Sequence, residues 1–393
     1  MIDYERLLSK EVRALKPSGI RKFFDIAAEM DDVISLSIGE PDFKTPFIIR
    51  EAGVDNLKAG RTWYTSNSGL NILREEICRY QKTRFGGEYN PQTECLVTVG
   101  GSEGIDLVVR ALIEEGDEVL IPTPCYVAYD PIVRLQKGVP VIINTKAENN
   151  FKLTKEEVLE NLTEKTKLLI LPFPNNPTGA IMGKEDLLEI AEALKGTNVL
   201  VLSDEIYAEL TYDTTHVSVS SIPELYERTI LISGFSKAFA MTGWRLGYVL
   251  GPEPILKEIT KIHQFAIMCA PSTSQYAAVV ALREGAESVE KMRKEYNMRR
   301  RYLLSALREI GLDCYEAKGA FYLFPSIKST GLSPEEFCTR LLYSKKVAVV
   351  PGTAFGDSGE GFIRISYSYS LAHLKEAVKR IGEFLGEIKE NKN

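Results

Sequence analysis

The sequence holds only three histidines, His216, His263 and His373, far apart in the chain, so a histidine-rich metal centre is not expected and no residue reads as a metal ligand. Its six cysteines form no C-x-x-C pair and no metal-ligand spacing; they read as reduced thiols of a cytoplasmic protein, not as a disulfide framework. No apolar run approaches the ~18 residues that a membrane span needs. The first residues, MIDYERLLSKEVRALK, are charged from residue 3 and lack the apolar centre of a signal peptide, so neither a membrane nor a secretory destination is expected. There is no basic excess either: the net charge is −6, which argues against a nucleic-acid partner. Internal repeats and low-complexity segments are absent. What remains is a globular chain, 44% hydrophobic and 26% charged, and at 393 residues too long for one ordinary core.

Residues 1–40 read as a charged arm that ends in Ile34–Ile38 and the turn sequence Gly39-Glu40-Pro41-Asp42-Phe43. A helix is expected over Ser68–Phe85, capped by Ser68 and closed by Gly86-Gly87. A regular alternation follows, with strands expected at Cys95–Val99, Glu118–Ile121, Pro140–Ile143, Leu168–Phe173 and Val199–Leu202. Helices separate them: from Gly101 with the stripe Ile105, Val108, Val109, Leu112 and Ile113; over Tyr126–Gln136; from the capping-box pair Thr154 and Glu157; and over Lys184–Leu194. Two more strands, Thr229–Gly234 and Leu246–Leu250, flank a lysine-bearing break. Apolar strands separated by helices predict an α/β fold whose mostly parallel central sheet is covered on both faces.

After residue 284 the texture changes to a long charged helix, Glu287–Ile310, short strands at Phe321–Phe324, Val347–Val350 and Phe362–Ser366, a capped helix from Ser333, and a closing helix Leu371–Ile388. The expected division is therefore 41–284 as a large domain and 285–393 as a smaller α+β domain, joined by the arm 1–40.

In such a sheet, ligands bind beyond the carboxyl ends of the strands. Five of these strand ends carry chemistry. Gly101, Ser102 and Glu103 open a helix, whose N-terminal amides attract an anion. Tyr126 follows the second strand, Asn176 lies in an NNPTG loop, Asp204 and Tyr207 follow the next, and Lys237 the last. Each has an ordinary reading alone, as a tight turn, core packing, a helix cap or a surface lysine. Together they meet the needs of pyridoxal 5′-phosphate: an amine for its aldehyde, a carboxylate for its ring nitrogen, donors for its phenolic oxygen, and a helix N-terminus with Arg245 for its phosphate.

The motifs IGEPDF, WYTSNSGLNILREEI, NNPTG, SDEIYAEL, GFSKAFAMTGWRLGY and FIRISYS span nearly the whole chain, which resembles the class I/II aminotransferases, pyridoxal-phosphate enzymes of fold type I. The resemblance implies transfer of an α-amino group from an L-amino acid to a 2-oxo acid by a ping-pong route through a Schiff base on Lys237. It implies that Lys237 also shuttles the proton, that Asp204 pairs with the ring nitrogen, that Asn176 and Tyr207 bond the phenolic oxygen, and that Tyr126 stacks on the ring. Gly101, Ser102, Glu103, Ser236 and Arg245 would hold the phosphate, and Arg364 the substrate α-carboxylate, aided by the Gly39 backbone and Asn176. Tyr64 would reach the cofactor of a second subunit, which implies a homodimer with shared sites.

Two departures stand out. Many members carry a serine where this chain has Gly234, and aspartate-specific relatives often carry a lysine where it has Ser102. A lyase of the same fold would share Lys237 and Asp204, and product analysis separates the two. A cofactor-sensing regulator would need a DNA-binding domain ahead of the first motif, where about 40 residues stand. A nicotinamide dehydrogenase would use the turn before Asp117 and Glu118, but VGGSEG is not its glycine fingerprint.

Overall fold

The computed structural model describes residues 2–15, 19 and 30–390, so part of the expected arm lies outside the described residues. A short strand, β1 (Ile34–Ser35), precedes the main sheet. That sheet comprises β2 (Cys95–Thr98), β3 (Glu118–Thr123), β4 (Val139–Asn144), β5 (Thr166–Leu171), β6 (Leu200–Asp204), β7 (Thr229–Gly234) and β8 (Gly247–Leu250). Its order is β2-β8-β7-β6-β5-β3-β4; β8 runs antiparallel to both neighbours, and every other neighbouring pair is parallel.

The continuous apolar runs have a direct cause in this arrangement. Successive residues of β7 point to opposite faces, and both faces are covered. Ile230 and Ile232 pack with Ile105 and Val108 of the helix Gly100–Leu112, whereas Leu231 packs with Leu73 and Ile77 of the helix Asn71–Phe85. Each buried aliphatic side chain contributes about 1.5–3 kcal/mol, so a polar alternation would have been costly on either face.

Two smaller sheets follow: β11 (Val350–Pro351), β12 (Ile363–Ser366) and β9 (Tyr322–Leu323) in antiparallel order, and a parallel pair of β1 with β10 (Val347–Ala348). The helices Ala286–Glu309, Pro334–Lys345 and Leu371–Glu390 bury Leu303, Phe337 and Ile381 in the core beneath them. Among the described residues, no helix is long and apolar enough to cross a membrane.

Three expectations need correction. The helix expected from Ser68 starts at Asn71, because Gly69 has φ +94° and the Ser68 carbonyl instead accepts from the amide of Val97. Gln275, far along the chain, accepts the Leu70 amide at 2.7 Å in place of a local cap. The helix expected from Tyr126 starts at Tyr129, since the Cys125 amide is tied to the Phe355 carbonyl and holds the chain out of helical course. The strand Val347–Val350 is two strands, β10 and β11, drawn to different partners. Three of the longer helices, Phe47–Lys58, Glu253–Ile267 and Ser272–Glu284, were not anticipated.

Candidate active site

A cavity of about 560 Å³ lies beyond the carboxyl ends of β2, β3, β5, β6 and β7. Gly101, Ser102, Tyr126, Asn176, Asp204 and Tyr207 line it, and so do Ser236, Lys237, Arg245, Arg364 and Gly39. Residues up to 327 positions apart in sequence, Ser37 and Arg364, thus meet in one space.

Lys237 follows β7, and its Nζ donates to the Gly39 carbonyl at 2.6 Å. Burial lowers its pKa to about 8; the cations of Arg364 and Arg245 act in the same direction, and Glu40 and Asp204 oppose them. A substantial share of the amine is therefore neutral near physiological pH, the state a nucleophilic amine requires.

Asp204 ends β6 and is buried. Its Oδ2 accepts from the Tyr129 hydroxyl at 2.7 Å and its Oδ1 from the Ile206 amide at 3.2 Å. Burial raises its pKa, while those two donors favour the carboxylate. A protonated ring nitrogen would supply the positive partner that such a buried acid lacks.

Arg245 adopts the left-handed region at φ 50° and donates from Nη1 to the Thr242 carbonyl at 3.1 Å. A Cβ on Gly100 would meet its Nη2 at 2.9 Å, so the guanidinium lies directly on the start of the helix Gly100–Leu112. A cation and a helix N-terminus thus face one space, an arrangement suited to a phosphate group. Gly247 permits this closeness, because a Cβ there would come within 2.6 Å of the Gly100 carbonyl carbon. At Gly234 a Cβ would lie 2.9 Å from Gly247 Cα, so a serine has no room in this backbone.

Arg364 projects from β12 while Ile363 and Ile365 bury in the small core on the opposite side. Its guanidinium lies between the rings of Tyr322 and Phe355, at 4.5 and 4.8 Å. Nη1 donates to Asn176 Oδ1 at 2.9 Å, and Nη2 donates to the Ser37 carbonyl. Its Nε is buried with no hydrogen-bond partner among the described residues. Because Asn176 spends its oxygen on Arg364, its amide nitrogen is the end open to a ligand.

Two expected residues sit differently. The Glu103 side chain turns away from the cavity: one oxygen accepts from the Val99 amide and the other bonds His263 Nδ1 at 2.9 Å. Only its backbone remains near the helix start. Tyr64 is 78% exposed and does not line the cavity. Sequence reasoning missed Tyr129, Tyr322, Ser37 and Phe355; no local pattern pairs Tyr129 with Asp204 across 75 positions.

The donor set fits pyridoxal 5′-phosphate: a partly neutral lysine, a buried carboxylate, an arginine against a helix start, and glycines where a Cβ would fill the space. Comparison with known proteins agrees. The family "Aminotransferase class I and II" matches residues 31–381. The putative aminotransferase YugH of Bacillus subtilis is 53% identical over 378 residues, covering 96% of this chain and 98% of that protein. An aspartate aminotransferase of Pyrococcus abyssi is 46% identical, over 97% of this chain and 99% of its own. The crystal structure of an aromatic aminotransferase from Pyrococcus horikoshii superposes with a TM-score of 0.90 at 43% identity, covering 94% of this chain and 99% of that one. Site, fold and sequence converge: this chain belongs to the class I and II aminotransferases.

Proposed function

We propose that this aminotransferase holds pyridoxal 5′-phosphate in the cavity around Lys237 and moves an α-amino group from an L-amino acid to a 2-oxo acid in two half-reactions. The observation that carries the reading is the meeting of Lys237, Asp204, Arg245 and Arg364 in one cavity. Bound there, the cofactor would supply an aldehyde for amine condensation and a ring that takes up electrons from the substrate Cα.

The protein's own groups do the rest. Lys237 would be the amine that meets the aldehyde and the base that moves the proton at the substrate Cα. Asp204, steadied by Tyr129, keeps a proton on the ring nitrogen. Asn176 through its amide nitrogen and Tyr207 through its hydroxyl would donate to the phenolic oxygen, and Tyr126 would cover the ring. Gly101, Ser102, Ser236 and Arg245, with the Glu103 backbone, hold the phosphate. Arg364 clamps the substrate α-carboxylate beside the Gly39 backbone.

The proposal extends to the setting. The cavity lies between a large unit, 41–284, and a small one formed by 285–393 with the arm 1–40; the separate sheets support that division. A second copy of the chain supplies Tyr64, which is exposed, as are the large apolar side chains of Trp63, Phe47 and Phe265; such exposed apolar surface supports a homodimer that would cover it. The six free cysteines accord with the cytoplasm. Ser102 offers no charge to a side-chain carboxylate, so aspartate should not be strongly preferred over neutral donors. The test is a panel of amino donors with 2-oxoglutarate and pyruvate, read by product analysis and by parallel double-reciprocal plots. Elimination products in place of amino transfer, or intersecting plots, would contradict it.

A further inference from the structure

Tyr322 has no part in the reading above, yet it touches both halves of the site. It lies on β9, opposite Ser366 of β12, and is 1% exposed. Its hydroxyl is 2.8 Å from the Tyr207 hydroxyl. Its ring faces the Arg364 guanidinium at 4.5 Å. A Cβ on Gly39 would lie 2.7 Å from the same hydroxyl, so the segment that accepts the Lys237 amine is also shaped around Tyr322.

We propose that Tyr322 is a positioning residue that serves two partners with two parts of one side chain: its hydroxyl orients Tyr207, and its ring orients Arg364. The inference rests on the cofactor and carboxylate placements proposed above. The direction of the hydrogen bond follows from proton counting. Each tyrosine hydroxyl has one hydrogen to give. Tyr207 gives its own to the phenolic oxygen of the cofactor, so Tyr322 must be the donor to Tyr207. That donation polarises the Tyr207 O–H and strengthens its bond to the phenolate form. The ring acts separately. Arg364 is held by two hydrogen bonds at its terminal nitrogens, and the planes of Tyr322 and Phe355 restrict the remaining rotation of the guanidinium. The two roles are separable by substitution.

The experiment compares wild type, Tyr322→Phe and Tyr322→Leu, each loaded with pyridoxal 5′-phosphate. Two quantities are read: the pH midpoint of the bound chromophore's absorbance change, and the affinity for the 2-methyl analogue of the best amino donor. Tyr322→Phe keeps the ring and loses the donor. Its midpoint should rise by roughly 0.4 to 1 pH unit, the worth of one hydrogen bond, with the analogue's affinity within about twofold of wild type. Tyr322→Leu should show the raised midpoint and also bind the analogue about 2- to 30-fold more weakly. A residue that only filled core would lower the melting temperature of both variants and leave the midpoint in place. An unmoved midpoint in Tyr322→Phe overturns the proposal even if the leucine variant folds poorly. An analogue affinity that falls equally in both variants overturns the division of roles. A wild-type protein that takes up no pyridoxal phosphate would sink the functional reading itself and the proposal with it.

Discussion

Arg364 and Asn176 meet across the cleft, with Nη1 donating to Oδ1 at 2.9 Å. One residue comes from β12 of the small sheet and the other from the loop after β5 of the main sheet. The group proposed to read the substrate carboxylate is thus held by the residue proposed to meet the cofactor's phenolic oxygen. With Nη2 committed to the Ser37 carbonyl, the guanidinium plane is set before any substrate arrives.

This geometry makes Arg364→Lys a sharp test. Lysine keeps the charge but loses the planar fork and its bond to Asn176. A charged hydrogen bond is worth about 1.5–3 kcal/mol, so affinity for an unreactive dicarboxylate or a 2-methyl amino acid should fall roughly 10- to 150-fold. Bound cofactor and its spectrum should hardly change, because the phosphate is held elsewhere. Equal affinities in variant and wild type would show that Arg364 does not read the carboxylate.

Asp204→Asn should leave the fold and cofactor uptake in place while transamination falls roughly 100- to 1000-fold, the scale of losing one preorganised electrostatic partner. The amide cannot stabilise a charged ring nitrogen. The measurement is single-turnover transfer with the cofactor bound; near-normal rates would mean that the ring lies in another orientation.

Lys237 carries a pH signature. In the cofactor-free protein its amine should titrate near pH 8, its pKa being lowered to about 8 chiefly by burial. The sign follows from proton counting. Below that pH the folded and unfolded chains both hold the proton. Between about 8 and the ordinary lysine value of ~10.4 only the unfolded chain does, so this group's contribution to stability rises with pH across that window. Acylation of Lys237, followed by peptide mapping against pH, should show a midpoint near 8; one near ~10.4 would place the amine in water.

The strand-end loops were legible because each breaks an apolar run with turn-forming residues, and an anion site needs only glycine and a helix start. Other features were not, for physical reasons. The helix Ser272–Glu284 buries Ser274, Ala277, Ala278, Ala281 and Leu282, so it shows no polar face to give it a helical period. The split between β10 and β11 depends on β1 and β12, more than 300 positions before and a dozen after. Tyr129 reads locally as one aromatic in a helix, and its bond to Asp204 exists only because β3 and β6 flank β5 in the sheet. Glu103 was taken with the phosphate cradle because it is next to Ser102, but helix geometry turns its side chain toward His263.

Tyr64 bears on assembly. Suppose that Tyr64→Phe and Lys237→Ala are each severely impaired alone. A hybrid dimer then has one site with both defects and one with neither. Random exchange should restore about a quarter of wild-type activity, since half of the dimers are hybrids with one good site each. No recovery after verified subunit exchange would show that each chain completes its own site.

The central claim is that Lys237 is the amine that carries the cofactor. Purified protein loaded with pyridoxal 5′-phosphate should be yellow, and borohydride followed by peptide mass mapping should find the reduced pyridoxyl group on Lys237. A pyridoxyl group fixed on another lysine, or on none, would contradict the account.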